Sequence, residues 1–271
     1  MSASVAGNAA VRPLVIAHRG ASRDEPEHTL AAYSRAVADG ADGLECDVRL
    51  TADGHLVCVH DRRVNRTSNG AGVVSTLELA QLEALDWGSW KALAPGDEPE
   101  APYRDRNMLL TLNRFLTMVT EVDRPLVTLV ETKHPSRHGG KVEKALSLAL
   151  ARFGLDGRDS LHSTKVMSFS HLALQRMRSL NPDVELVQLL EYFPVWMRDG
   201  SLPKGVTTIG ITPGILRRAA RAVRRQQANG HQVYVWTVDE ADDVSRCLDA
   251  GVDAIITNRP RFVMDQIATS G

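Results

Sequence analysis

The chain has 271 residues, is 43% hydrophobic and 24% charged, and carries a formal net charge of −1. This length and composition favour one large α/β domain with at most a small insertion, and the charge balance argues against a nucleic-acid partner. No segment approaches 18 consecutive apolar residues, so no membrane span is expected, and three cysteines form no disulfide framework, which favours a reducing, cytoplasmic setting.

Short β-branched apolar segments alternate with segments of helical period along most of the chain. Residues 1–12 precede the first of them and are predicted to be a flexible tail. The predicted strands are 14–18, 43–48, 56–60, 126–132, 165–169, 185–190, 207–211, 232–238 and 253–257. Apolar stripes typical of helices follow within 29–39, 112–119, 142–153 and 244–248.

This alternation predicts a (β/α)8 TIM barrel over residues 13–267. Nine strands are one too many, so segment 56–60 is expected to pair antiparallel with 43–48 outside the eight-strand count. Residues 62–110 are rich in Gly, Pro and charged residues and interrupt the alternation of predicted strands and helices. They are interpreted as an insertion over one end of the barrel, where loops often carry substrate contacts. An open doubly wound sheet is the alternative, although no Gly-x-Gly-x-x-Gly turn supports it.

The predicted hairpin at 44–61 carries two carboxylates on one face. Glu45 and Asp47 are two residues apart, so their side chains point the same way on a strand. If Ala52 and Asp53 form a two-residue loop, Glu45 lies opposite His60, and Asp47 lies opposite Cys58. A slip of one residue in this register would send half of the set to the other face.

Polar side chains also follow two other apolar strands. His18 and Arg19 end the first strand, and Glu131 and Lys133 end the strand at 126–132. Catalytic groups of a (β/α)8 barrel cluster at the carboxyl ends of its strands. Carboxylates suit a hard divalent cation, Arg and Lys suit a phosphate, and two histidines suit a proton acceptor and a proton donor. Together these groups indicate hydrolysis of a phosphate ester.

The ordered motifs of the chain resemble those of the glycerophosphodiester phosphodiesterase family. They are His18-Arg19-Gly20, Glu27-His28-Thr29-Leu30, Glu45-x-Asp47, His60-Asp61, Glu131-x-Lys133, Ser168-Phe169, Trp236-Thr237-Val238-Asp239 and Ile255-Ile256-Thr257-Asn258. The resemblance implies a (β/α)8 barrel with a small insertion after the His-Asp motif. It also implies a divalent metal, Mg²⁺ or Ca²⁺ or else Mn²⁺, and a small-molecule substrate that is hydrolysed to sn-glycerol 3-phosphate and an alcohol.

The resemblance also implies roles for single residues. It assigns the metal to Glu45, Asp47 and Glu131, the acid/base pair to His18 and His60, and the phosphate clamp to Arg19 and Lys133. If Trp236 lines the pocket, its ring offers a cation–π contact to a choline ammonium. Four positions depart from the common pattern: His28 replaces Asn, Cys46 an aliphatic residue, Asp239 Asn, and Asn258 Asp.

Several alternatives stay open on sequence grounds. The nucleophile is water or the 2-hydroxyl of the substrate, and neither histidine is assigned as the base. For Glu131 and Lys133, two apart on a strand, the alternative is that they only pair with each other. A lysophospholipase D-type or cyclising phosphodiesterase would use an apolar channel, for which Trp87, Trp90 and Leu93 are candidates. A non-catalytic barrel that binds phosphodiesters is the third possibility.

Overall fold

The computed structural model describes residues 12–92, 102–157 and 161–270. The predicted tail lies outside these ranges except for Arg12. The strands are β1 Leu14–His18, β2 Gly43–Leu50, β3 Leu56–Cys58, β4 Val127–Thr132, β5 Ser163–Ser168, β6 Glu185–Leu189, β7 Thr208–Ile211, β8 Gln232–Trp236 and β9 Ala254–Thr257. The helices are α1 Leu30–Ala38, α2 Leu79–Glu83, α3 Tyr103–Asn107, α4 Leu112–Thr120, α5 Lys141–Arg152, α6 His171–Leu180, α7 Pro213–Arg218, α8 Ala220–Ala228, α9 Ala241–Asp249 and α10 Pro260–Ser270.

The sheet closes into a barrel of eight parallel strands. Around the barrel their order is β1, β2, β4, β5, β6, β7, β8 and β9, and β9 pairs with β1 to complete the circle. The predicted (β/α)8 barrel is therefore confirmed, and the open sheet is excluded. Within the described part of the chain, none of the helices has both the length and the apolar character that crossing a bilayer requires.

Strand β3 lies outside the circle of eight, as expected. β1 ends at His18, which pairs with Glu45, whereas β2 continues to Leu50. The edge of β2 that β1 leaves free is then occupied by β3, which runs antiparallel to it.

The predicted register of this hairpin is wrong by one residue. Cys58 pairs with Val48 rather than with Asp47. The loop contains three residues, since the Thr51 amide bonds the His55 carbonyl at 2.9 Å, and Gly54 adopts a φ of 93° that suits glycine. As a result the Cys58 side chain packs in the outer hydrophobic core instead of facing the site.

The segment interpreted as an insertion has a small core of its own, although residues 93–101 within it lie outside the described ranges. Val64, Val74, Leu82 and Trp87 pack together there against β3. Trp87 is buried and its indole N–H donates to the Leu82 carbonyl at 2.8 Å. It lines a space of about 240 Å³ that His60 and Leu109 also line, which is too small for the apolar channel considered above. Leu93, proposed for the same channel, is outside the described residues.

Alternation along each strand separates two cores. Outward residues pack against the helices, whereas inward residues fill the barrel. The inward apolar cluster comprises Ile16, Leu129, Met167, Val187, Leu189, Tyr234, Ala254 and Ile256. The next inward positions toward the carboxyl ends of β1, β2, β4 and β8 are polar or aromatic, namely His18, Glu45, Glu131 and Trp236. An apolar plug thus supports a polar layer at one mouth of the barrel.

Candidate active site

The predicted site residues converge on this mouth. A pocket of about 580 Å³ is lined by seven of them: His18, Arg19, Glu45, His60, Glu131, Lys133 and Trp236. The eighth, Asp47, is 1% exposed and pairs with Glu131 in the parallel register of β2 and β4. His60 belongs to this group although the register that placed it there is wrong. It follows the end of β3, where the backbone bends, and its carbonyl accepts from Arg49 at 2.6 and 2.9 Å.

Three buried carboxylates form the centre of the site. One oxygen each of Glu45, Asp47 and Glu131 lies within 4.8 Å of the other two, and the residues are 1%, 1% and 6% exposed. Burying three like charges this close together is costly unless a cation binds them. Carboxylate oxygens are the ligands preferred by Mg²⁺ and Ca²⁺, so the donor set fits a hard divalent cation.

The three carboxyl groups differ in electrostatic environment. Burial raises the pKa of Glu45 well above its usual value, and the Asp47 charge raises it further. Burial and Asp47 also raise the pKa of Glu131, to about 7, although Lys133 opposes the shift. Burial works the same way on Asp47, but Lys133, His28 and Arg19 outweigh it and hold its pKa well below the usual range. Asp47 is therefore the carboxylate that stays ionised.

Cations contact the cluster from two sides. The Lys133 ammonium lies 2.9 Å from Asp47 and 2.8 Å from Glu131, so the pairing considered as an alternative does occur, but it extends to both carboxylates. Arg19 approaches Asp47 at 3.1 Å through Nε and Glu27 at 2.9 Å through Nη1. Both cations also line the pocket. Their charges are thus available to an anion that enters it.

His18 is held by an amide. Its Nδ1 lies 2.7 Å from Oδ1 of Asn258, whose own Nδ2 donates to Asp239 at 2.6 Å. Because that Oδ1 accepts, Nδ1 of His18 carries the proton and Nε2 keeps a free lone pair. Burial, with a contribution from Arg19, lowers the pKa of His18 to about 3. The imidazole is therefore neutral at physiological pH.

His60 is held by a carboxylate instead. Its Nδ1 lies 2.7 Å from Asp61, which is in turn bound by Arg66 at 2.7 Å. Burial lowers the pKa of His60, while the carboxylates of Asp47 and Asp61 act in the opposite direction. The two histidines are thus both held through Nδ1, but by partners of different charge.

Several contributors are absent from the sequence-based set of site residues. Asn258, Asp61 and Glu27 anchor His18, His60 and Arg19, and Asn258 lies 240 positions from its partner. His28, one of the unusual residues, bridges Asp47 and Tyr33 at 2.9 and 2.8 Å, so it supports a proposed ligand. Alternation along the strands would have indicated part of the pocket wall, which includes Met167, Phe169, Leu189, Glu191 and Ile256.

Trp236 lies at the wall of the pocket. Its ring contacts Phe169 edge-on with centroids 5.5 Å apart, and its indole N–H has no hydrogen-bond partner among the described residues. A ring wall with a free donor suits contact with a ligand that has both apolar and polar atoms.

Comparison with known proteins finds similarity along nearly the whole chain. The model of the glycerophosphoryl diester phosphodiesterase family matches residues 18–262. The chain is 45% identical to a probable glycerophosphodiester phosphodiesterase 1 of Mycobacterium tuberculosis, over 92% of this chain and 90% of the relative. It is 31% identical to a glycerophosphodiester phosphodiesterase of Caldanaerobacter subterraneus, over 96% and 100%. An Oleispira antarctica phosphodiesterase, solved with sn-glycerol-3-phosphate, shares the fold at 24% identity with a TM-score of 0.77, over 94% and 97%.

Proposed function

Because the chain belongs to the glycerophosphoryl diester phosphodiesterase family, we propose that it hydrolyses glycerophosphodiesters to sn-glycerol 3-phosphate and an alcohol. The observation that carries this proposal is the meeting of three buried carboxylates, two anchored histidines and two cations at one barrel mouth. Each part has a distinct task in cleaving a phosphodiester. The intact set also argues against a barrel that only binds phosphodiesters.

The carboxylates of Glu45, Asp47 and Glu131 would hold the divalent metal, Mg²⁺ or Ca²⁺. When bound, such a cation polarises the phosphoryl oxygen and offsets the buried negative charge. Arg19 and Lys133 would bind the nonbridging phosphate oxygens and stabilise charge that develops there. Trp236 would pack against one arm of the substrate.

We propose that His18 is the general base and His60 the general acid. A neutral imidazole with a free Nε2 accepts a proton, and the amide of Asn258 orients that ring without placing a negative charge beside it. Asp61, by contrast, stabilises an imidazolium at His60, and the charge of a bound phosphate favours it further. His18 would take the proton from water or from the substrate's 2-hydroxyl, and His60 would give one to the leaving alkoxide.

Chelation is expected to abolish turnover. Purified protein should release glycerol 3-phosphate from glycerophosphocholine, glycerophosphoethanolamine or glycerophosphoglycerol, and EDTA should stop that release until Mg²⁺, Ca²⁺ or Mn²⁺ is restored. Chromatography of early time points would detect a cyclic glycerophosphate if the 2-hydroxyl attacks. Absence of turnover of all three diesters with every metal would overturn the proposed function.

The pH profile is expected to identify the base. With both histidine pKa values lowered, the acidic limb of kcat/KM should lie below pH 6.5. Exchanging Asn258, the partner of His18, with its own partner Asp239, by Asn258→Asp with Asp239→Asn, places a carboxylate on Nδ1 and favours the imidazolium. The acidic limb should then move to higher pH. An unmoved limb in a folded, active double variant would count against His18 as the base.

Lysophospholipid hydrolysis is the second candidate, because an apolar groove adjoins the pocket. A cavity of about 830 Å³ shares Phe169, Leu189 and Glu191 with it and continues past Tyr192 and Trp196. These last two side chains are 74% and 58% exposed. If an acyl chain binds there, lysophosphatidylcholine should be cleaved faster than glycerophosphocholine, and Trp196→Ser should remove that difference. Equal rates on both substrates would eliminate this candidate.

A cytoplasmic location is proposed from the cysteines. Cys46, Cys58 and Cys247 are all buried and unpaired, which is the usual state of cysteine in a reducing compartment.

A further inference from the structure

A second cavity, of about 640 Å³, lies beside the active-site pocket and is strongly basic. Its charged or titratable lining consists of Arg49, Arg62, Lys133, Arg137 and His138. No Asp or Glu belongs to the lining among the described residues. Lys133 is common to this cavity and to the active-site pocket, so the two spaces meet at the proposed phosphate clamp.

Strand register explains why the two spaces adjoin. Asp47 pairs with Glu131 and Val48 with Thr132, so Arg49 and Lys133 come next, beyond the metal-binding layer. Arg49 is on the same face of β2 as Glu45 and Asp47 because it is two residues further along. Its guanidinium donates to the His60 carbonyl, which places the basic cavity next to the proposed general acid.

Lys133 is the member of this basic lining that is paired with described carboxylates, Asp47 and Glu131. Arg49, Arg62 and Arg137, by contrast, form no ion pair with described carboxylates. The Nε2 atom of His138 is buried without a hydrogen-bond partner among the described residues. Guanidinium groups bind phosphate and carboxylate groups through paired N–H donors, and such bonds are strongest where water is partly excluded. The cavity therefore has the chemistry of an anion site.

We propose that the basic cavity is a subsite for a second anionic group, carried by the alcohol arm of the substrate. This inference rests on the proposed function and specifies its substrate class. Diesters whose leaving alcohol bears a phosphate or carboxylate are then the preferred substrates. His60 lines the active-site pocket and its carbonyl accepts from Arg49 of the basic cavity, so an alcohol arm in that cavity would have its leaving oxygen near the proposed acid. The glycerol arm is accordingly on the side of Trp236, which opposes a preference for choline.

Two matched pairs of substrates test this subsite. Glycerophosphoglycerol phosphate differs from glycerophosphoglycerol by one phosphate, and glycerophosphoserine differs from glycerophosphoethanolamine by one carboxylate. We expect kcat/KM to be at least tenfold higher for the first pair's phosphorylated member, and higher for glycerophosphoserine in the second. A response to phosphate alone identifies a phosphomonoester as the ligand. Equal values within both pairs, or a preference for glycerophosphocholine over all four, would overturn the proposal.

Substitutions at the exposed Arg62 and Arg137 test whether the basic cavity causes the preference for the phosphorylated diester. The double variant Arg62→Gln/Arg137→Gln should lose about tenfold in kcat/KM on the phosphorylated diester and less than twofold on glycerophosphoglycerol. The control Arg221→Gln/Arg224→Gln removes the same charge from the exposed face of α8 and should change neither value. Equal losses on both substrates, or the same loss in the control, would contradict the subsite.

The anion site can also be tested if the proposed function proves wrong. If no diester were hydrolysed, the cavity would be tested by calorimetric titration with inorganic phosphate. Binding by the wild-type protein that is weakened in Arg62→Gln/Arg137→Gln supports an anion site without catalysis. Equal binding by both proteins overturns it.

Discussion

Replacement of His18 by alanine is expected to lower kcat on glycerophosphodiesters by about 10²- to 10⁴-fold, the usual contribution of a positioned acid or base. The proposed base has its Nδ1 fixed by Asn258 and its Nε2 free, so no neighbouring group substitutes for it in the same geometry. Steady-state kinetics at saturating metal measure the loss. His60→Ala should produce a loss in the same range.

The matched control is His55→Ala. His55 lies in the turn between β2 and β3 with its side chain 54% exposed, outside the pocket lining. This variant should retain wild-type kcat. Circular dichroism and thermal unfolding should be unchanged for His18→Ala, because the ring removed bonds only one side chain. If a folded His18→Ala protein kept kcat within threefold of wild type, the assigned role would be refuted.

Replacement of Asp47 by asparagine should abolish activity and lower the free energy of unfolding. Asp47 is the carboxylate whose pKa is lowered, so its charge stabilises the fold at pH values above about 4, the unfolded value. Its partners Lys133, His28 and Arg19 lie at 2.9, 2.9 and 3.1 Å. Breaking a buried ion pair by removing one partner typically costs about 3–5 kcal/mol. Urea unfolding in EDTA should show that the free energy of unfolding of the variant is lower by an amount of that order.

Glu45→Gln, in the same cluster, is expected to change the stability of the fold in the opposite direction. Burial and Asp47 raise the pKa of Glu45, so ionising it at neutral pH costs folding free energy, and stability falls as pH rises. Without metal, Glu45→Gln should therefore match or exceed the wild-type stability, yet it should still abolish metal-dependent turnover. A decrease equal to that of Asp47→Asn would show that the two carboxylates are equivalent, contrary to this account.

The strand–helix order and the residues of the site were predictable from the sequence, because they depend on local patterns. Each of the nine predicted strands is present with boundaries within two residues. The hairpin register was not predictable from the sequence, because Asp53-Gly54 suits a two-residue loop as well as a three-residue loop with Gly54 at positive φ. His60 reaches the pocket through the bend after β3, and a continuous ladder would have turned it away.

The groups that tune the site were beyond sequence reasoning. Asn258 and Asp239 were noted only as departures from a family pattern, yet they bond each other and hold His18. Asn258, which contacts His18, is neutral, and the charged Asp239 lies one hydrogen bond further from the histidine. Contacts of this kind form only when the barrel closes, so the periodicity of a local sequence segment does not predict them.

The pairing of β1 with β9 has a consequence for synthesis on the ribosome. His18 is among the first described residues to be translated, but its anchor Asn258 follows 240 positions later. At about 5–20 residues per second, the nascent chain spends 10 seconds or more with that imidazole unanchored. The enzyme is therefore expected to become active only after the last strand has left the exit tunnel, in a single late step. A chain stalled before Ala254 should be inactive, however much of its barrel has formed.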